Sequence, residues 1–192
     1  MTQLTVFLRK EVLGGWRNKK IIICGVIFLM VGMLSPFLAK IMPDIFSSMV
    51  TDGIQITVST PTSVDSWMQF YGNIGSLGLL VFVILFADTI CAEIEQGTLI
   101  NLITKGLPRQ TILLAKTLYL YFLWTLFYAA AFLICLLYTR IYFNDSLTHH
   151  LISAGFSYWL FGLLSISLLL LSSAFAKNVY QVLLFLAAFY GI

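Results

Sequence analysis

Side chains able to do chemistry are scarce in this 192-residue chain, which has eight acidic, eleven basic and two histidine residues. It contains no GxxxxGK(S/T) phosphate-binding loop, no zinc-ligand spacing and no nucleophile elbow. His149 and His150 are neighbours in the sequence, and adjacent histidines rarely bind one metal ion together. The three cysteines lie in or at the ends of apolar runs, as is typical of small buried hydrophobic residues. The sequence therefore predicts neither catalysis nor a metal or other cofactor bound by this chain.

One long polar stretch, 91–116, interrupts the apolar segments with the sequence CAEIEQGTLINLITKGLPRQTILLAK. Glu93 and Glu95 stand near its beginning, where carboxylates favour the positive end of a helix dipole. A Gly-Thr pair and a Lys-Gly-Leu-Pro sequence provide signals for breaking and ending helices. The pattern predicts a cytoplasmic helical hairpin that could receive force from a soluble partner.

Asp88 is the one carboxylate that falls inside a predicted membrane span, about one turn from its cytoplasmic end. An ionisable residue in a span is a functional candidate, so Asp88 is a possible intramembrane polar site. Two interpretations are open: a structural ion pair with Lys177 or a basic residue of the first helix, or a role in transport. Because Asp88 and Glu95 are seven residues apart, we expect them on one helix face.

The elements that must position these residues are membrane helices. The chain is 60% hydrophobic and 10% charged, against about 25% charged in soluble domains. Its apolar runs approach or exceed the ~20 residues that cross a bilayer, and they lack the alternation of a barrel. The sequence predicts an all-α, polytopic membrane protein forming a single transmembrane domain with these segments: an interfacial amphipathic helix 1–20, spans 21–39, 74–92, 117–138 and 151–176, an outer loop 40–73, the coupling hairpin 91–116 and the start of a fifth span 179–192.

Two boundaries follow from particular residues. Ser35-Pro36 is expected to kink or end the first span, since proline lacks the N–H and crowds the preceding turn. Trp67, Phe70 and Tyr71 come just before the second span, where amphipathic rings favour the interface. Because the last apolar run is too short to cross, we expect the natural chain to continue beyond Ile192.

The distribution of basic residues predicts the orientation. With the N-terminus inside, only Lys40 and Arg140 of the eleven basic residues lie outside. Cytoplasmic segments of membrane proteins carry the excess of lysine and arginine. The amino end and the hairpin 91–116 are therefore predicted to be cytoplasmic, in a multi-pass protein of the plasma membrane.

The hairpin also carries a family resemblance. EIEQGTL at 93–99, LITKGLPR at 102–109 and ILLAK at 112–116 resemble the E-x-E-x-G-T-L … L-L-T-x-P-x-S-R … K signature of type 2 ATP-binding-cassette (ABC) transporter permeases. Phe7, Lys10-Glu11 and Arg17 are similar to that family's opening F-x-K-E … R helix. The sequence departs from the pattern at Pro108, where the family usually has serine, and the sixth span is absent.

The resemblance implies a bacterial exporter permease that pairs with a second copy of itself or a related permease. A separate cytosolic ABC ATPase, which would bind ATP and Mg²⁺, would dock on the hairpin. No nucleic-acid partner is expected. The residues that we predict for ATPase coupling are Glu93, Glu95, Gly97, Thr98, Leu99, Leu102, Lys105 and Arg109. An immunity or sensor membrane protein for peptide antibiotics, without transport activity, remains an alternative. A membrane-embedded enzyme would need paired catalytic groups inside the bilayer, and only Asp88 comes close.

Overall fold

The computed structural model describes residues 3–49, 61–95, 97, 108–143, 151–176 and 178–190. In these ranges the secondary structure is helical, with no strand, so the predicted all-α class is confirmed. The helices are α1 (Gln3–Arg17), α2 (Lys20–Met49), α3 (Ser63–Asn73), a π-helical segment (Ile74–Gly78), α4 (Leu79–Phe86), α5 (Cys91–Glu95), α6 (Arg109–Tyr142), α7 (Leu151–Phe175) and α8 (Val179–Tyr190).

Four helical segments in these ranges are long and apolar enough to cross a membrane: Lys20–Pro43, Ser63–Glu93, Gln110–Tyr142 and Leu151–Phe175. They correspond in order to the four predicted spans, and each begins at or before the predicted residue. α1 precedes them and joins α2 through a turn at Lys19, whose φ is 58°. The helix α8 is apolar but short, at 12 residues.

The helix α2 does not end at Ser35-Pro36, contrary to the sequence prediction, and continues to Met49 through Pro36 and Pro43. Proline is tolerated in membrane helices when side chains and neighbouring helices satisfy or cover the freed backbone groups. Here the Ser35 hydroxyl donates to the Val31 carbonyl at 2.7 Å and accepts a hydrogen bond from Asn73 at 3.2 Å. These hydrogen bonds link the residue before Pro36 to the preceding turn of α2 and to α3.

The predicted outer loop 40–73 is shorter than expected, because helices occupy both of its ends. α3 begins after Thr62, whose N–H and hydroxyl both donate to the Asp65 carboxylate at 2.9 Å. This capping interaction starts the second membrane helix about eleven residues before the predicted span. Trp67 and Phe70 are buried and pack against Phe132 of α6, with ring centroids 5.0 and 6.3 Å away. They belong to the helical core.

The core is centred on α6, which packs along α2 over a long interface. At one crossing the two backbones come so close that a Cβ on Gly32 would lie 2.7 Å from the Ala131 carbonyl oxygen. Trp124 of α6 contacts Phe28 of α2 and Phe82 of α4, each edge-to-face at 5.6 Å. This aromatic packing holds three of the four spans together.

Candidate functional site

The two ends of the predicted hairpin are helical where they are described. α5 (Cys91–Glu95) forms the first end, and Gly97 after it has a left-handed φ of 66°, which glycine adopts without steric cost. Pro108 is the extended N-cap residue of α6, and Arg109 is the first helical residue. Thr98, Leu99, Leu102 and Lys105 lie outside the described residues.

The second span is interrupted just before the hairpin, at residues 87–90, which form a turn between α4 and α5. Ser173 of α7 bridges this interruption. Its hydroxyl accepts from the N–H groups of Ile90 (3.3 Å) and Cys91 (3.1 Å) and donates to the Ala87 carbonyl (3.3 Å). A side chain of another helix therefore satisfies backbone groups that a continuous helix would have paired itself.

Lys116 of α6 also binds the same turn. Its side chain is 2% exposed, and its Nζ donates to the Thr89 carbonyl at 2.6 Å. The Nζ also lies 3.2 Å from the Glu93 carboxylate on α5 and 3.4 Å from the Glu11 carboxylate on α1. The ammonium group is therefore in contact with oxygen atoms on three segments: it donates hydrogen bonds to Thr89 and Glu11 and forms an ion pair with Glu93.

Lys116 belongs to a charge cluster of six side chains: Lys10, Glu11, Lys20, Asp88, Glu93 and Lys116. Lys10 lies 2.8 Å from Glu93 and 3.6 Å from Glu11. The cluster has three ammonium and three carboxylate groups, so its formal charges balance. It joins α1, the start of α2, the 87–90 turn, α5 and α6, and its ion pairs are mechanical links between elements.

The structure places Asp88 in an ion pair, with both carboxylate oxygens 2.6 Å from Lys20 Nζ. Lys20 is the first residue of α2 and belongs to the segment predicted as the basic interfacial helix, so Asp88 has a basic partner of the predicted kind, and its role in structure or transport stays a prediction. The shared helix face predicted for Asp88 and Glu95 is wrong, because the turn at 87–90 breaks the helix between them.

The two hairpin glutamates differ in their surroundings. Glu93 is 17% exposed and belongs to the charge cluster, whereas Glu95 is exposed to solvent. The sequence pattern alone gave no reason to distinguish Glu93 from Glu95. It also missed Glu11, Lys20 and Ser173 as partners of this region, although the Lys-Glu pair of the opening helix and Lys116 were visible as parts of the family signature.

A cavity of about 200 Å³ opens beside the charge cluster. Besides the six cluster residues it is lined by Gly14, Gly15, Asn18, Phe86, Thr89 and Tyr119. Gly15 allows α1 to approach α6 closely, because a Cβ at this position would overlap the Tyr119 hydroxyl. The cavity lies between the amino-terminal helix and the ends of three membrane spans.

Comparisons with known proteins agree with this architecture. The model of a family described as "ABC-2 family transporter protein" matches residues 5–191. A Bacillus subtilis (strain 168) protein described as "Uncharacterized transmembrane protein YxlG" is 22% identical over 148 residues, which cover 76% of the chain. The aligned part spans 57% of that relative's length. No solved structure matches the chain significantly.

Proposed function

Since the chain belongs to the ABC-2 transporter family and is the membrane component of an ABC transporter, we propose that it is the permease subunit of an exporter. In this proposal a separate cytosolic ATPase binds the hairpin 91–116 and drives transport. Two copies of the chain, or this chain and a related permease, together form the translocation path. A multi-pass location in a bacterial membrane is consistent with the four apolar helices and the Bacillus relative.

The observation that carries the coupling proposal is the attachment of the hairpin base to the spans. α5 follows a turn whose backbone groups are bound by Ser173 of α7 and Lys116 of α6. Asp88 in that turn is paired with Lys20 of α2. A displacement of α5 therefore acts on side chains from three other membrane helices. This contiguous set of contacts supports the proposal that force from a docked ATPase reaches the spans through α5.

The positions of the two glutamates assign them separate roles in this proposal. Glu95 is exposed and is free to face an ATPase, where rim charges influence association and partner choice more than affinity. Glu93 binds Lys10 and Lys116, so it supports the base of the hairpin. The apolar residues Leu99 and Leu102 supply the hydrophobic part of the docking surface, since buried apolar anchors dominate binding energy.

The test compares Glu95→Lys with Glu93→Lys in membranes that also contain the ATPase. Recovery of the ATPase with the tagged chain and the rate of ATP hydrolysis should be measured on the same preparations. Glu95→Lys is expected to weaken recovery while the thermal stability of the chain stays unchanged. Glu93→Lys is expected to lower both ATPase recovery and the thermal stability of the chain, because it places a third cation beside Lys10 and Lys116.

The matched control is Glu95→Gln, which removes the charge without reversing it and should have a smaller effect than lysine. If both lysine variants retain normal ATPase recovery and normal ATP hydrolysis, the hairpin has no coupling role and this part of the proposal fails. If no ATPase is recovered with the unaltered chain, the immunity or sensor alternative is favoured.

A further inference from the structure

Tyr119 of α6 points to a ligand that neither the fold nor the proposed coupling explains. The residue is 4% exposed, and its hydroxyl has no hydrogen-bond partner among the described residues. The hydroxyl lies where Gly15 leaves room for it, and Tyr119 lines the 200 Å³ cavity beside the charge cluster. A buried hydroxyl without a partner costs folding free energy, so a bound polar group at this position would be favourable.

The charges around the cavity define the class of ligand. Lys116 donates to the Thr89 carbonyl and to the Glu11 carboxylate and forms an ion pair with Glu93, so groups of the protein already engage it. Among the described residues, the hydrogen bonds of Lys20 go to the two oxygens of Asp88, and Lys10 is 53% exposed, so both can donate further hydrogen bonds. The carboxylates of Glu11 and Asp88 keep lone pairs beyond their lysine contacts. The carboxylates would repel a simple anion and the lysines would repel a simple cation, whereas a zwitterion can pair with both kinds of group.

The depth of the cavity identifies the source of that zwitterion. Lys20 begins one apolar span, Asp88 lies near the end of the second, and Tyr119 lies near the start of the third. All three therefore lie near the boundary between hydrocarbon and water, where lipid phosphates lie. Ile23, one turn after Lys20, is 46% exposed, and on α1 Trp16 is 61% exposed, so apolar surface for acyl chains is available on α2 and α1.

We infer that this cavity binds the headgroup of a phosphatidylethanolamine molecule from the bilayer. The Tyr119 hydroxyl and Lys20 donate hydrogen bonds to the phosphate, and Glu11 and Asp88 accept hydrogen bonds from the primary ammonium group. Phosphatidylcholine is a poorer ligand, because its quaternary ammonium has no N–H to donate. Phosphatidylglycerol is also poorer, because it has no ammonium group to pair with the free lone pairs of Glu11 and Asp88.

The experiment uses the full chain reconstituted in vesicles that contain equal amounts of phosphatidylethanolamine, phosphatidylcholine and phosphatidylglycerol. After extraction in mild detergent, native mass spectrometry identifies the lipids that remain bound. Gly14→Leu should block the cavity, because Gly14 lines it and a Cβ there meets no atom within 4 Å. Gly72→Leu is the matched control, since a Cβ there also meets nothing and Gly72 does not line the cavity.

The unaltered chain and Gly72→Leu should each retain one phosphatidylethanolamine in preference to the other lipids. Gly14→Leu should reduce this retention at least tenfold, and Tyr119→Phe, which keeps the ring, should reduce it severalfold. Equal retention of the three lipids, or unchanged retention in both cavity variants, would overturn the inference. Binding of free phosphoethanolamine without retention of the lipid would also overturn it, because the ligand would then be a soluble phosphate ester with an amino group and not a lipid. None of these readouts depends on transport or on an ATPase.

Discussion

Replacing Lys116 with methionine tests the structural core of the proposed site. The substitution keeps an unbranched side chain but removes the ammonium group that contacts Thr89, Glu93 and Glu11. Breaking a buried ion pair by removing one partner costs about 3–5 kcal/mol. Glu93 keeps Lys10 at 2.8 Å, and the two carboxylates are 13% and 17% exposed, so the lower end applies. We therefore expect a loss of about 3 kcal/mol in the free energy of unfolding.

Lys10→Met is the matched control, because Lys10 contacts the same two carboxylates but is 53% exposed. An exposed ion pair contributes only about 0.2–1 kcal/mol. For a protein of this size, 1 kcal/mol corresponds to a change of about 2–4 °C in Tm. Thermal unfolding in detergent, followed by tryptophan fluorescence, should show a decrease of about 6–12 °C for Lys116→Met.

The decrease for Lys10→Met should not exceed about 4 °C. Equal shifts for the two variants, or no shift for Lys116→Met, would refute the view that a buried lysine holds the hairpin base to the spans.

Three further predictions concern topology and packing. A single cysteine at Asp52 should be labelled from outside intact cells and one at Gln110 only after permeabilisation; labelling at Gln110 in intact cells would contradict the orientation. Gly32→Val should lower the free energy of unfolding by about 1–3 kcal/mol, because the backbone of α6 occupies the space that the side chain needs, while Gly72→Ala should leave Tm nearly unchanged. Ser173→Ala should cost about 1–3 kcal/mol by leaving backbone groups of the 87–90 turn unpaired; an unchanged Tm would show that the turn supports itself.

The sequence predicted the helical class and the order of the four spans because long apolar runs have few alternatives in a bilayer. It placed helix ends less well. Local rules predict a helix end at Pro36, whereas α2 continues through it, and tertiary contacts such as the hydrogen bond from Asn73 to Ser35 are not visible in the local sequence. The start of α3 was missed because the aromatic residues after Asp65 were interpreted as an interfacial flank, whereas α6 buries them.

The candidate site was predicted in part. A basic partner for Asp88 followed from the position of this carboxylate in a span, whereas the hairpin 91–116 and its coupling residues stay predictions. Which cation binds Asp88 did not follow, because Lys20 is 68 residues away in the chain. The different surroundings of Glu93 and Glu95 could not be predicted from the sequence either, since they depend on the turn at 87–90. Side chains from α6 and α7 stabilise that turn, and no local pattern records them.

The most direct test of the proposed coupling is photo-crosslinking from the hairpin in living cells. A benzoylphenylalanine at Glu95, which is exposed, should form a cross-link to a cytosolic protein that mass spectrometry identifies as an ABC ATPase. The same probe at Met68, which is 68% exposed near the opposite end of the second span, should not. Absence of an ATPase cross-link at Glu95, or an equal yield at both positions, would contradict the proposal that this hairpin couples the chain to an ATPase.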